Sequence, residues 1–320
     1  MIRAIALRSL MAGLVAILPF AALLCDPSPG WASPILGDAQ GFAVLASTAV
    51  TNTAAGTTIT GDLGVSPAGA VTAAFPPGIL TNGSVPHVND GPANDARAAL
   101  LAARTGLGGL APTVTLTGDL GNQTLSPGIY FSAASPALLT GTLLLDAGGL
   151  SNQVWVFELS ALTTASSSVV HVINTGGFED QGVFWVIGSS ATLGSGSTFE
   201  GNILALASIT LDPGAQIICG RALAYTAAVT MAGLGGPVPN PAQGRDNAVS
   251  IGCEGTEGAE ASDTDTSGFS GGLEFDVAGN VSFISGPGPG PGTVPAPASF
   301  LLLAAGLIGG AARMRWASAR

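Results

Sequence analysis

Threonine and serine recur at a regular interval in the second half of the chain, and their hydroxyl groups are the first candidates for chemistry. Thr192, Thr210 and Thr230 follow one another at similar spacing, and Ser190 and Ser208 stand two residues before the first two of them. Side chains alternate faces along a β-strand, so each serine would share a face with its threonine. Such a row can bind a surface through many weak contacts. Branched threonine is also common on β-surfaces through propensity alone.

The side chains needed for catalysis are sparse. The chain has no lysine and only two histidines, His87 and His171, and its acidic residues are spread along the repeats. Enzymes built on extended β-folds need clustered bases and electrophiles in a groove. Asp62 and Asp119 each follow a glycine and fit a turn-capping role, and His171 lies in an apolar strand. We therefore expect a protein that is not an enzyme and uses no cofactor.

One acidic segment has the spacing of a calcium-binding loop. Asp263, Asp265, Ser267 and Glu274 occupy positions at which such loops place oxygen ligands. The flanking sequence is rich in glycine and has no helical pattern, so a solvated acidic linker is the alternative.

A repeat of about 19 residues positions the hydroxyl groups. Segments that begin at Gly182, Gly201 and Gly220 share an apolar run, a corner of small residues and a short alternating strand, with a single-residue gap among them. A period near 20 residues with short strands is typical of a solenoid, whose coils bury their apolar sides on one another. We expect these three glycines to stack, the residue before each threonine to point inward, and the threonines to point outward.

One stretch departs from the β-pattern. Residues 94–105 are rich in alanine and leucine, begin with polar residues and are followed by Gly106 as a stop signal. The pattern predicts one helix lying along the solenoid, with Ala98, Leu101 and Ala102 facing it.

The charge balance excludes one class of partner. The chain carries 20 acidic residues against 9 arginines, a net charge of −11. Such an acidic surface argues against nucleic acid as a partner. We expect a monomer that stays soluble outside the cell.

The N-terminus has the pattern of an export signal. Arg3 and Arg8 precede an apolar segment over residues 9–24, and small residues end it at Ala32, after which we place cleavage. A lipoprotein signal at Cys25 is the alternative, but the preceding leucine is larger than such signals use.

Export makes a disulfide possible. Cys219 and Cys253 are the two cysteines that survive removal of the signal. In an oxidising compartment they could pair and attach the acidic segment to the last coil, and two free thiols are the alternative.

The C-terminus has three parts. Residues 294–299 are rich in proline and alanine, residues 300–312 are apolar, and Arg313 and Arg315 follow. The apolar part is short for a full membrane span, and the arginines would stay on the cytoplasmic side. This tail resembles the PEP-CTERM sorting signal of bacteria that make exopolysaccharide, with Ala296 where that family has glutamate. The resemblance implies an exosortase-type processing enzyme as a partner, transient anchoring in the membrane, and cleavage near residues 295–297.

These patterns divide the chain into four parts. They are a signal peptide over 1–32, a β-solenoid over 33–236, an acidic Gly/Pro-rich linker or small appendage over 237–292, and a sorting tail with a short hydrophobic helix over 293–320.

The solenoid part resembles the ice-binding-protein-like (DUF3494) domain. The resemblance rests on five blocks in the family's order, which are Leu36–Ala46, Ile59–Pro67, Leu125–Tyr130, Gly188–Leu193 and Gly220–Ala224. It implies an all-β fold, namely a right-handed discontinuous β-helix of triangular section with one long α-helix packed alongside.

The same resemblance implies a function. Active members bind ice through one flat face that carries a Thr-Ala/Gly-x-Thr/Asn pattern, and residues 48–51 fit this pattern fully. Strands stacked ~4.8 Å apart would hold threonine groups in a lattice that orders water. The implied ice-binding face consists of Thr48, Thr51, Ser190, Thr192, Ser208, Thr210 and Thr230. The alternative is an exopolysaccharide-associated surface adhesin or matrix protein on the same scaffold, with extracellular polysaccharide as its partner.

Overall fold

Short strands with alternating apolar and polar residues make up most of the structure, which is a computed structural model. The structure describes residues 33–53, 56–72, 78–81, 83–175, 181–233, 247–251 and 268–284. Every described residue belongs to one compact unit of the chain.

The regular elements alternate along the chain with short turns. Before the helix they are β1 (Ser33–Pro34), a 3-10 turn (Gly37–Ala39), β2 (Phe42–Ala46), β3 (Ala49–Asn52), β4 (Thr58–Thr60), β5 (Asp62–Val65), β6 (Ala70–Thr72), β7 (Ile79–Thr81) and β8 (Pro86–Val88). The helix is α1 (Gly91–Leu107). After it come β9 (Val114–Thr115), β10 (Gln123–Leu125), β11 (Gly128–Ser132), β12 (Ala137–Leu139), β13 (Thr142–Asp146), β14 (Val154–Leu159), β15 (Leu162–Thr164), β16 (Val169–Ile173), β17 (Gly182–Ile187), β18 (Ala191–Leu193), β19 (Thr198–Ala205), β20 (Ile209–Leu211), β21 (Gln216–Ala224), β22 (Val229–Met231), β23 (Ala248–Ser250), β24 (Leu273–Phe275) and β25 (Val281–Phe283).

Successive coils contribute strands to three faces. Within each face the strands run parallel to one another. The threonine face is the seven-stranded sheet in the order β12-β15-β18-β20-β22-β3-β6. The helix face has the order β9-β11-β14-β17-β19-β21-β2-β5-β8. The third face has the order β10-β13-β16-β19-β21-β23-β4-β7. Strands β19 and β21 run through the corner between the third face and the helix face, where the register shifts between Glu200 and Asn202.

The stacking order of the coils differs from their order in the chain. The first coil, β2 to β4, stacks directly on the last one, β21 to β23, so that Val50 pairs with Val229 and Thr58 with Ala248. The helix α1 connects β8 at one end of the stack with β9 at the other. The predicted discontinuous β-solenoid with one long helix is confirmed.

The interior of the coils is apolar and contains a column of rings. Tyr130 stacks on Phe157 at 5.2 Å between centroids, Phe157 on Trp185 at 3.9 Å, and Trp185 contacts Phe199 at 4.8 Å. Tyr130, Phe157 and Trp185 are register partners on successive coils, so one ring from each of these coils continues the column. Such ring pairs add to the free energy of burial.

The helix begins earlier than the sequence pattern predicts and buries a different stripe. Asp90 caps it by accepting a hydrogen bond from the Ala93 amide at 3.1 Å, so α1 begins at Gly91. Its buried residues are Ala93, Ala96, Leu100, Ala103 and Leu107. The predicted contact residues Ala98, Leu101 and Ala102 are exposed instead, so that prediction was wrong. Alanine and leucine occur on every side of this helix, so periodicity alone does not single out one stripe.

The predicted stacking of three glycines holds for two of them. Gly220 lies against Gly201 so closely that a Cβ there would collide with the Gly201 carbonyl. Val183, and not Gly182, lies under Gly201. Gly182 instead bridges to Ser270, next to the carbonyl of Gly271. The expected alignment was therefore wrong by one residue at this coil.

Parts of the acidic segment belong to the packed body. Strand β23 pairs with both β21 and β4 on the third face. Strands β24 and β25 form an antiparallel sheet with β1, and Leu273 is fully buried. The acidic composition predicted a linker or small appendage over 237–292. Residues 247–251 and 268–284 instead belong to the packed body.

The two predicted sorting segments, residues 1–32 and 293–320, lie outside the described residues. Within the described part of the chain, no helix has the length and apolarity needed to cross a membrane.

Candidate functional site: the threonine face

The central position of each strand on the threonine face forms one continuous row. From one end of the sheet to the other, this threonine row consists of Leu138, Thr163, Thr192, Thr210, Thr230, Thr51 and Thr72. Six of its seven positions are therefore threonine: four come from consecutive coils, and Thr51 and Thr72 come from the N-terminal coils.

Alternation along strands β15, β18, β20, β22 and β3 turns their central threonines outward. The preceding residues Ala191, Ile209 and Val229 are buried in the core, while Thr192 and Thr210 are partly exposed. The parallel strands repeat about every 4.8 Å. Threonine is branched at Cβ and therefore stiff at χ1. The face thus presents methyl and hydroxyl groups at a fixed spacing.

A second row, of small residues, lies beside the first. Two residues before each threonine stand Ala161, Ser190, Ser208, Ala228, Ala49 and Ala70. The hydroxyl groups of Ser190 and Ser208 are 3.0 Å apart and hydrogen-bonded to each other. Neither row contains a charged side chain. Both rows are therefore uncharged. The threonine row lies beside a row of smaller side chains, alanine and serine.

Six of the seven sequence-predicted site residues lie on these two rows. Thr48 does not, because it lies in the bend before β3, and Ala49 occupies the small-residue position. Thr48 is exposed at the corner, and its carbonyl accepts a hydrogen bond from the Ala70 amide at 3.2 Å.

Sequence reasoning missed two members of the threonine row, Thr72 and Thr163. A signal for Thr72 was present, since Ala-Val-Thr occurs at 49–51, 70–72 and 228–230. Thr163 follows a leucine that matches the inward position of the later coils. What the sequence did not reveal was the register that brings the strand of Thr72 beside that of Thr51.

Acidic side chains outside the threonine face hold turns and coils together. Asp119 accepts hydrogen bonds from the Gly121 amide at 2.7 Å, the Thr140 amide at 2.9 Å and the Thr140 hydroxyl at 2.8 Å. Burial alone would raise the pKa of Asp119, but these bonds outweigh it and hold the pKa below its ordinary value. Asp62 accepts from the Val85 amide of the next coil at 2.9 Å. The predicted structural role of both aspartates agrees with these contacts.

The two histidines also pair with carboxylates. Nδ1 of His171 is 2.8 Å from Oε1 of the buried Glu200, which also accepts from the Val172 amide at 2.6 Å. Nδ1 of His87 is 2.7 Å from Asp90, and this contact is the main cause that lowers the pKa of Asp90. Both pairs tie neighbouring segments together.

The predicted calcium loop falls mostly outside the described part of the chain. Asp263, Asp265 and Ser267 are not among the described residues, whereas Glu274 lies in β24 opposite Pro34 and Ser282. Among the residues that are described, no group of three His, Cys, Asp or Glu side chains could hold a metal ion.

Cys219 is buried and takes part in a disulfide. Its partner lies outside the described residues, as does Cys253. The pairing of Cys219 with Cys253 stays a prediction.

The discontinuous β-solenoid carries a neutral threonine row on one of the two faces that α1 does not cover. Residues 44–234, more than half of the chain, match the family described as Ice-binding-like. The chain therefore belongs to the ice-binding-like family.

Named relatives agree with this assignment. The chain is 49% identical over 199 residues to the ice-binding protein of Nostoc sp. (strain HG1). This match covers 62% of this chain and 71% of that protein. It is 30% identical over 226 residues to ice-binding protein 1 of Shewanella frigidimarina (strain NCIMB 400), a match that covers 62% of this chain and 25% of the relative. The chain thus spans only a quarter of that second protein.

Solved structures share the fold. The ice-binding protein of the Antarctic ascomycete Antarctomyces psychrotrophicus matches with a TM-score of 0.58 and 35% identity, covering 68% of this chain and 98% of that one. An ice-binding protein from an Antarctic biological consortium matches with a TM-score of 0.57 and 36% identity. This match covers 68% of this chain and 91% of that one.

Proposed function

We propose that this protein binds ice through the threonine face. The observation that carries the proposal is the row of six in-register threonines, which passes unbroken from the C-terminal coils to the N-terminal ones.

The chemistry of the face suits a crystalline water surface. Stiff hydroxyl and methyl groups about 4.8 Å apart can order water beside the protein before contact. Each contact is weak, so binding depends on many groups acting together. The absence of charge in both rows means that no ion has to be dehydrated when the face meets a neutral crystal.

We also propose that the protein works outside the cell. The support is the export pattern over residues 1–32 and the resemblance of residues 293–320 to a sorting signal. On this proposal an exosortase-type enzyme removes the tail after transient membrane anchoring, and the released body acts as a monomer.

The test is ice activity of the purified mature protein, measured as thermal hysteresis and inhibition of ice recrystallisation. Thr210 lies in the middle of the row, so Thr210→Tyr should abolish both activities because one large side chain lifts the whole face from the crystal. Stability should change by no more than about 0.5 kcal/mol, as for other surface substitutions.

Thr142→Tyr is the matched control, since Thr142 is a partly exposed threonine on the third face. It should keep full activity. Full activity in Thr210→Tyr would place ice binding on another face, and binding of polysaccharide by a wild-type protein without ice activity would identify an adhesin instead.

A further inference from the structure

The threonine row joins two residues that are distant in sequence where it passes from Thr230 to Thr51. These two residues are register partners on β22 and β3, but they come from the last and the first coil of the solenoid. The four threonines on β15 to β22 belong to coils that follow one another in sequence. Thr51 and Thr72 join the row only because the N-terminal coils dock onto the C-terminal end.

A fully buried arginine lies at this junction. Arg221 on β21 has no exposed surface. Its Nε and Nη2 donate to the carbonyl oxygen of Gln40 at 2.9 and 2.6 Å, and its Nη1 donates to Oδ1 of Asn202 at 2.7 Å. Gln40 stands just before β2, so the guanidinium connects the N-terminal coil to the last two coils.

The surrounding groups lock Arg221 in place. The side-chain amide of Asn202 donates to the carbonyl oxygens of Val183 at 3.1 Å and Phe269 at 2.8 Å. Gly268 packs so close that a Cβ there would lie 3.1 Å from Nη1 of Arg221. Removing the guanidinium would leave buried carbonyl and amide oxygens without their donors, which is unfavourable.

The junction must hold its register closely. Val50 is buried and Thr51 is partly exposed. Because side chains alternate along a strand, a slip of one residue in β3 would expose the valine and bury the threonine. The fork-shaped donor group of arginine restricts such slips better than the point charge of lysine.

We propose that Arg221 is a positioning residue of the ice-binding face. It fixes the N-terminal coils on the last coil and so sets Thr51 and Thr72 in line with Thr230. The inference rests on the proposed function of the threonine face, and Arg221 itself does not contact ice.

The first experiment is hydrogen exchange on Arg221→Met, in which methionine keeps the apolar volume and removes the donors. Peptides from residues 42–65 should exchange about a hundredfold faster than in the wild type. Peptides from residues 137–211 should keep their protection. Equal loss in both regions, or loss in neither, would overturn the proposal.

The second experiment measures coupling on ice activity. In the wild type, Thr51→Tyr and Thr192→Tyr should each lower thermal hysteresis. In the Arg221→Met background, Thr192→Tyr should still lower it, whereas Thr51→Tyr should have little further effect because Thr51 is no longer held in line with Thr230. A purely stabilising role would leave the two tyrosine variants equally effective in both backgrounds and would reject the proposal.

Arg97→Met is the control, because Arg97 is a partly buried arginine that stacks on Tyr225 at 4.2 Å rather than bonding to Gln40 and Asn202. It should leave exchange over residues 42–65 and the effect of Thr51→Tyr unchanged. If no variant alters ice activity because the wild type has none, the proposed function fails, while the exchange experiment still decides whether Arg221 docks the coils.

Discussion

At the residue scale, the threonine row has one irregular member. Leu138 occupies the end position, in register with Thr163, and is 47% exposed. Leucine has no hydroxyl group and a longer side chain than threonine. The ordered part of the row therefore stops one strand short of the end of the sheet.

Replacing this leucine should lengthen the active surface. Leu138→Thr should raise thermal hysteresis, because binding through many weak groups strengthens with each added group, and stability should change by less than about 1 kcal/mol at so exposed a site. Leu150→Thr is the control, since Leu150 is similarly exposed in a turn outside the face. If both variants have wild-type activity, the face ends before Leu138.

Acid should destabilise the end coils through Asp119. The folded state lowers the pKa of this carboxyl, so its contribution is fully present above the ordinary aspartate pKa and is lost as the pH falls through the folded value. Asp119→Ala should lower the melting temperature at neutral pH and show less further loss on acidification than the wild type.

Melting curves between neutral and strongly acidic pH check this prediction. Asp38→Ala removes an exposed carboxylate near the start of the body and serves as the control. An unchanged pH dependence in Asp119→Ala would show that other carboxylates govern acid sensitivity.

At the element scale, α1 is an apolar cover for the helix face. Its buried stripe packs against Phe42, Phe184, Val186 and Leu204, which project outward from the coils. Of the two faces that the helix leaves uncovered, the threonine face is the one that carries the in-register threonine row. The helix thus packs on a side whose outward apolar side chains need covering, and it leaves the threonine face free to meet a surface.

Adjacent leucines on the helix provide a matched test of its orientation. Leu100 is fully buried, whereas Leu101 is 43% exposed. Leu100→Ala should lower the free energy of unfolding by about 2–5 kcal/mol, and Leu101→Ala by no more than about 0.5 kcal/mol. Denaturant titration of the two variants measures the difference. Similar losses would mean that the helix packs with another stripe.

How much of this could be predicted from sequence depends on how local the signal is. The inward and outward positions at Thr192, Thr210 and Thr230 follow from alternation along one strand, and the structure agrees. The stripe of α1 did not follow, because alanine and leucine surround the whole helix. The place of Thr51 beside Thr230 did not follow either, since it is set by Arg221 and Gln40 across the junction.

At the scale of the whole molecule, strands that are synthesised early pair with strands that are synthesised late. Strands β2, β3 and β4 need β21, β22 and β23 as partners, and these are made only after nearly all the other coils. Contacts between such distant residues form slowly. The first coil therefore has an unpaired edge during most of translation. Folding of the solenoid is completed late, and a nascent fragment has no complete threonine face.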